Sequence, residues 1–118
     1  MSAPKTTKTL LAWHFLADDG RMAHDGRTVR VGETYRLPRG QTPALCKRGY
    51  HASVRAIAAL SFAPGSRICR VRLSGTILRD TDKCVAGART VVAMADATAV
   101  LHEFACWVAE RVLKAERK

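Results

Sequence analysis

The chain has 118 residues, of which 47% are hydrophobic and 25% are charged, and its formal net charge is +10. This length and apolar content predict one folded domain with a real core and exclude global disorder. No run of eighteen apolar residues occurs, which excludes a membrane span, and the polar N-terminus is unlike a signal peptide. We therefore expect a cytoplasmic protein.

The charge points to a class of partner. Twenty lysines and arginines stand against ten acidic residues. Such a field attracts nucleic acid, a nucleoprotein complex or an acidic protein surface. Arginine-rich composition also serves solubility alone, and both interpretations stay open. The four cysteines (Cys46, Cys69, Cys84 and Cys106) form no C-x-x-C pair, which predicts reduced, mostly buried thiols and no metal site.

The first half of the chain predicts strands and turns. Residues 1–9 are predicted to be a flexible lead, and residues 10–118 a single domain. The apolar run Leu10–Leu16 is too short for a helix and indicates a strand. Thr28–Val31 and Thr34–Leu37 predict a hairpin around a two-residue turn at 32–33.

Residues 45–60 predict a strand followed by a short helix. Gly49 permits a tight or closely approached backbone, and Ser53 is a favourable N-cap for the apolar run 54–62. Tyr50 and His51 place a phenol beside an imidazole. In an extended backbone these two rings lie on opposite faces, so we expect only one of them in a given pocket.

The second half predicts a long strand and a long helix. In 67–78, Cys69, Val71 and Leu73 alternate with Arg70 and Arg72, the period of a strand with one buried face. Gly75 indicates a bulge, 80–83 a turn and 85–92 an extended segment.

After a cap at Asp96 or Thr98, apolar residues recur at helical spacing to Val112, which predicts an amphipathic helix packed on the sheet. The fold class is therefore α+β: a small, mostly antiparallel sheet with one short helix and one long C-terminal amphipathic helix.

Two groups of residues are candidates for function. His14, Tyr50 and His51 are the candidate catalytic or ligand-contacting rings. The candidate phosphate-binding cations are Arg30, Arg36, Lys47, Arg48, Arg70 and Arg72. Four of them, Arg30, Arg36, Arg70 and Arg72, are predicted to form one basic surface on the sheet. No metal site is predicted, because His102 and Cys106 share a helix face without two further ligands.

The pattern Trp13-His-Phe15, Gly49-x-His-Ala-Ser53, Cys69-Arg-Val-x-Leu-x-Gly75 and Leu101-His-Glu-Phe-Ala-Cys106 resembles a family of small uncharacterised bacterial and prophage proteins. The resemblance covers nearly the whole chain and implies a mobile-element setting. That setting favours a role in host takeover or counter-defence, such as CRISPR inhibition.

A second resemblance is to ADP-ribosyltransferases with a His-Tyr-Glu site. It is carried by Leu11-Ala-Trp-His14 and by Gly49-Tyr-His-Ala-Ser53 before a short helix. It implies that His14 binds the ribose of NAD and that His51 or Tyr50 stacks on nicotinamide. Phe15 stands where those enzymes have glycine, and no strand position supplies their closing glutamate.

Two functions follow as hypotheses. The first is a non-enzymatic phage or mobile-element protein that binds an acidic partner and needs no cofactor. The alternative is a small NAD-binding protein or ADP-ribosyltransferase-like enzyme, for which NAD is the cofactor.

Overall fold

The computed structural model describes residues 9–22, 26–45 and 47–116, and it confirms the α+β prediction with five strands and two helices. The elements in chain order are β1 Leu10–Leu16, β2 Thr34–Arg36, β3 Tyr50–Ala52, α1 Ala56–Leu60, β4 Arg67–Arg79, β5 Cys84–Asp96 and α2 Thr98–Glu116. Apart from Thr9, the predicted lead lies outside the described residues. No described helix is long and apolar enough to cross a membrane.

The hairpin of β4 and β5 is the centre of the sheet. β1 pairs with the outer edge of β4, and β2 and β3 pair with the opposite edge of β5, all antiparallel. The predicted alternation in β4 is confirmed, because Cys69, Val71 and Leu73 are fully buried and Arg72 is exposed. The predicted turn is also present, with the Lys83 carbonyl accepting the Asp80 N–H at 2.8 Å.

The sheet curls until its two outer edges meet. Trp13 in β1 and Ser53, directly after β3, exchange two backbone hydrogen bonds of 2.7 and 2.9 Å. The register of β4 and β5 shifts at Arg70/Val71 and again between Ser74 and Ile77, beside the predicted bulge at Gly75. Bulges increase local twist and bend a strand, which lets the hairpin close on itself.

The predicted hairpin within 28–37 is wrong. β2 pairs with β5, and the Gly32 N–H donates to the Val91 carbonyl at 2.8 Å. The physical reason is that β5 offers a long free edge, while the residues before the turn are used elsewhere. The Val29 N–H, for example, donates to the Gly20 carbonyl at 2.9 Å.

The predicted cap at Ser53 is also wrong. Its backbone is committed to Trp13, and α1 begins at Ala56 with Arg55 at the N-cap position and no side-chain cap. The burial expected of the cysteines holds for Cys69 and Cys84, whereas Cys106 is exposed and Cys46 lies outside the described residues.

The C-terminal helix forms as predicted but does not pack on the sheet. The Asp96 carboxylate accepts the Thr98 N–H at 3.0 Å, which confirms the predicted cap. None of the residues of α2 is buried, and only Leu101 is half-buried. A small cluster of Phe15, Ala59 and Ala97, separate from the main core, contacts Leu101 and no other described apolar residue of α2. Phe104 is 40% exposed, so a charge there is not expected to unfold the sheet.

The core prediction is tested by two matched leucines. Leu73 is fully buried inside the curled sheet, whereas Leu11 on β1 is 45% exposed. We expect Leu73→Ala to lower the free energy of unfolding by about 2–5 kcal/mol, as cavity-forming core truncations do. Leu11→Ala should change it by about 0.5 kcal/mol or less. Urea unfolding followed by circular dichroism measures both, and equal losses would contradict the described core.

Candidate functional site

A cavity of about 800 Å³ opens where β1 and β3 meet. The rings of Trp13, His14, Tyr50, His51 and Phe62 contribute to its lining. Its cationic lining consists of Arg27, Arg36, Lys47, Arg48, Lys83 and Arg89. No aspartate or glutamate of the described residues lines it. The cavity therefore presents positive charge and ring surfaces together.

Arg89 is the buried member of this cationic group. It lies in the middle of β5, is 3% exposed, and donates from Nη1 to the His51 carbonyl at 2.8 Å. Its guanidinium carbon lies 5.1 Å from the centre of the Tyr50 ring, and its Nε has no hydrogen-bond partner among the described residues. Burial lowers the Arg89 pKa to about 10, so the side chain still carries its charge at neutral pH.

His14 contributes a neutral imidazole. It lies on β1 opposite Cys69 of β4. Burial is the main cause that holds the pKa of His14 well below its usual 6.5, and the charges of Arg89 and His51 lower it further. A neutral imidazole offers one donor and one acceptor nitrogen to a ligand. Burial also raises the pKa of the neighbouring Cys69 to about 11, so that residue is a thiol rather than a nucleophilic thiolate.

Tyr50 is fixed in place by hydrogen bonds and by the residue before it. Its hydroxyl accepts from Arg27 Nη2 at 3.0 Å and donates to the Arg36 carbonyl at 3.2 Å. Gly49 has φ +112°, and a Cβ there would lie 2.7 Å from Cγ2 of Val85. Glycine therefore lets the chain approach β5 closely enough to position Tyr50.

Two further rings of the lining carry cations on their faces. The Arg70 guanidinium lies 4.4 Å from the centre of the Trp13 ring, and the Lys83 ammonium lies 5.2 Å from that of Phe62. Such cation–π contacts hold the side chains in defined positions at the cavity wall.

The structure gathers most of the predicted site residues. His14, Tyr50, His51, Arg36, Lys47 and Arg48 line this cavity. The catalytic role of the three rings stays a prediction. Both Tyr50 and His51 are lining residues, and the expectation that only one of these two rings enters a given pocket stays a prediction.

The remaining predicted cations lie elsewhere. Arg70 and Arg72 project from β4 on the face opposite the core, and Arg30 is an exposed loop residue whose N–H donates to the Tyr35 hydroxyl at 3.0 Å. Arg36 is separated from them, on β2 beside the cavity. The four arginines predicted as one sheet surface are therefore divided between the cavity and other surfaces.

Sequence reasoning missed Arg27, Lys83 and Arg89. Arg89 left one usable signal, since it is the single charged residue in the apolar run Cys84–Ala95. A lone arginine in an otherwise apolar central strand indicates a buried charge that needs a special environment.

Comparison with known proteins gives one match. A model of a family described as a domain of unknown function matches residues 11–103, from β1 to the first turns of α2. No curated protein and no solved structure matches the chain.

The neutral state of His14 makes the stability depend on pH. Because the folded-state pKa lies below 6.5, the unfolded chain binds more protons at mildly acidic pH, and stability falls as the pH drops from 6.5. We expect the urea midpoint to be lower at pH 5 than at pH 7.5, and His14→Gln to reduce this difference. His102→Gln, on the exposed face of α2, serves as the control. An NMR titration of His14 with a pKa of 6.5 or above would contradict the described burial.

Proposed function

The chain belongs to the family Domain of unknown function (DUF7666), and we propose that it binds a nucleotide-type ligand, one with phosphates and a planar ring, in the cavity between β1 and β3. One observation carries the proposal. Six cationic residues and no acidic residue of the described chain line the cavity, and one of the six is the buried Arg89.

The charge of the lining favours phosphate. Burying a charged guanidinium in a protein interior costs on the order of several kcal/mol, unless an anion and hydrogen bonds compensate for the lost hydration. Arg89 has one backbone carbonyl as a hydrogen-bond partner and no carboxylate among the residues the structure describes. An incoming phosphate would supply that anion, and the arginine fork suits phosphate oxygens better than a lysine does.

The size and the rings of the cavity favour a nucleotide. A volume of about 800 Å³ lies within the range of small-molecule sites and is too small for a duplex. Phe62 and Trp13 supply aromatic surface against which a planar ring can pack. Two kinds of ligand combine phosphates with a planar ring: a free dinucleotide such as NAD, and one nucleotide of a single-stranded nucleic acid.

The transferase resemblance supports the free dinucleotide. His14, Tyr50 and His51 all line the cavity, and the resemblance implies that such rings hold the ribose and the nicotinamide. The enzymes that the chain resembles use a glutamate for group transfer, and none of the described lining residues is a glutamate. The lining therefore supports binding of NAD. A role in counter-defence and a cytoplasmic location stay predictions from the sequence.

The first experiment compares two arginines on neighbouring strands. We expect NAD to bind in calorimetry, and Arg89→Met to weaken that binding about ten- to a hundredfold, the size of a lost hydrogen bond to a charged group. Arg72→Met is the matched control, because Arg72 is exposed on β4 and is not a lining residue.

Circular dichroism melts establish that both variants fold. Unchanged NAD affinity in a folded Arg89→Met variant would refute the proposed role of Arg89 in binding. Equal losses of NAD affinity in both variants would show that the effect comes from the net positive charge of the chain and not from the position of Arg89. Absence of NAD binding together with binding of a short oligonucleotide would assign the site to a strand.

The second experiment uses salt. For a single-stranded oligonucleotide, log affinity should fall with log salt by about 0.7 for each phosphate bound. Replacing Arg36 and Arg48 at the exposed rim by glutamine should reduce that slope by about 0.7 for each phosphate that the variant no longer binds. Replacing Arg72, which is exposed on β4 and is not a lining residue, should leave it unchanged. The reverse result would place the strand on the outer face of β4 and overturn the cavity assignment.

A further inference from the structure

The apolar stripe of α2 is uncovered along its length. Phe104 is 40% exposed and Trp107 is 53% exposed, and their rings stack with centroids 6.4 Å apart. Val100, Val108 and Val112 continue the stripe, and all three are exposed. An exposed apolar surface of this kind marks an interaction site rather than a solvated face.

An uncovered helix of this composition is marginal in water. α2 has 19 residues, and three of its stripe residues are valines, which lower helix propensity. Most helical stability in proteins comes from packing of the apolar face. Only Leu101 in the first turn obtains such packing, from the cluster of Phe15, Ala59 and Ala97. The rest of the stripe needs a partner surface.

We infer that this partner is α2 of a second copy of the chain, paired antiparallel. The charges select this occupant. Residues 1–95 carry the whole net charge of +10, so copies repel through their sheets, whereas the segment 96–118 is neutral. The helix is thus the part of the chain through which two copies approach without net repulsion.

The helix dipoles favour the antiparallel orientation, because antiparallel pairing opposes the two dipoles and parallel pairing aligns them. Antiparallel pairing also sets Glu103 of each helix toward the half of its partner that holds Arg111 and Lys114. Parallel pairing sets each of these side chains beside its own copy.

The stripe is also self-complementary in size when it is reversed. A two-fold axis near residue 106 places Phe104 opposite the partner's Val108 and Val100 opposite the partner's Val112. The large Phe104 side chain then meets a smaller valine near the centre, and valines meet farther out on both sides. This is the alternation that interdigitated helix packing requires.

The oligomeric state tests the pairing. Light scattering behind size-exclusion chromatography should give a dimer for the unaltered chain at high micromolar concentration. Phe104→Asp should give a monomer with its sheet intact by circular dichroism. Leu113→Asp is the control, because Leu113 is 55% exposed but lies off the stripe, and it should remain a dimer. A monomeric unaltered chain at all concentrations, or a dimer that survives Phe104→Asp, overturns the proposal.

Cysteine cross-linking tests the orientation. In a Cys106→Ser background, a mixture of Val100→Cys and Val112→Cys chains should form a disulfide-linked dimer on mild oxidation. Val100→Cys alone should not. Cross-linking of Val100→Cys chains to each other as readily as in the mixture would show parallel pairing and refute the antiparallel arrangement. Both experiments are independent of ligand binding in the cavity.

Discussion

The pairing of Trp13 with Ser53 is the interaction on which the rest of the structure depends. These two backbone hydrogen bonds join strands that stand at opposite edges of the β4–β5 hairpin. Without them β1 and β3 would each leave an unpaired edge, and the cavity between them would have no common wall. Two register shifts in the hairpin supply the bending that brings the edges together. The close approach of Gly49 to Val85 fixes β3 on the other side.

Closure of the sheet explains why an arginine is buried. β5 lies in the middle of the sheet, between β4 and the strands β2 and β3, so alternate side chains of β5 point to the interior of the curl. Arg89 occupies such a position, where its charge is destabilising and is only partly compensated by the His51 carbonyl and the Tyr50 ring. Burial and the charge of Arg89 together keep His14 neutral. The Arg89 guanidinium therefore interacts electrostatically with both the Tyr50 ring and the His14 imidazole in the cavity lining.

The molecule separates its two surfaces by charge. The sheet domain holds the positive field and the cavity, which suits phosphate ligands. The C-terminal helix holds an apolar stripe on a neutral segment, which suits contact between copies. Because α2 contacts the domain through Leu101 in its first turn, covering the stripe need not block the cavity. The proposed ligand binding and the proposed self-association therefore use separate surfaces of the chain.

The local patterns of the sequence determined most of the elements. Alternation in β4 fixed its buried face because successive strand side chains point to opposite sides. Asp96 fixed the start of α2 through a local hydrogen bond. The Gly49–His51 segment and His14 marked the two strands that meet at the cavity, since their residue types suit a ligand site.

Only the tertiary structure decided what those elements contact. The edge to which β2 binds depends on the free length of β5, which no local pattern encodes. Ser53 has the residue type of a helix cap, yet a distant strand takes its backbone. The period of the α2 stripe predicts an apolar face but not whether the sheet has room for it. Arg89 is buried among residues far apart in sequence, and burial is a property of the closed sheet rather than of the residue.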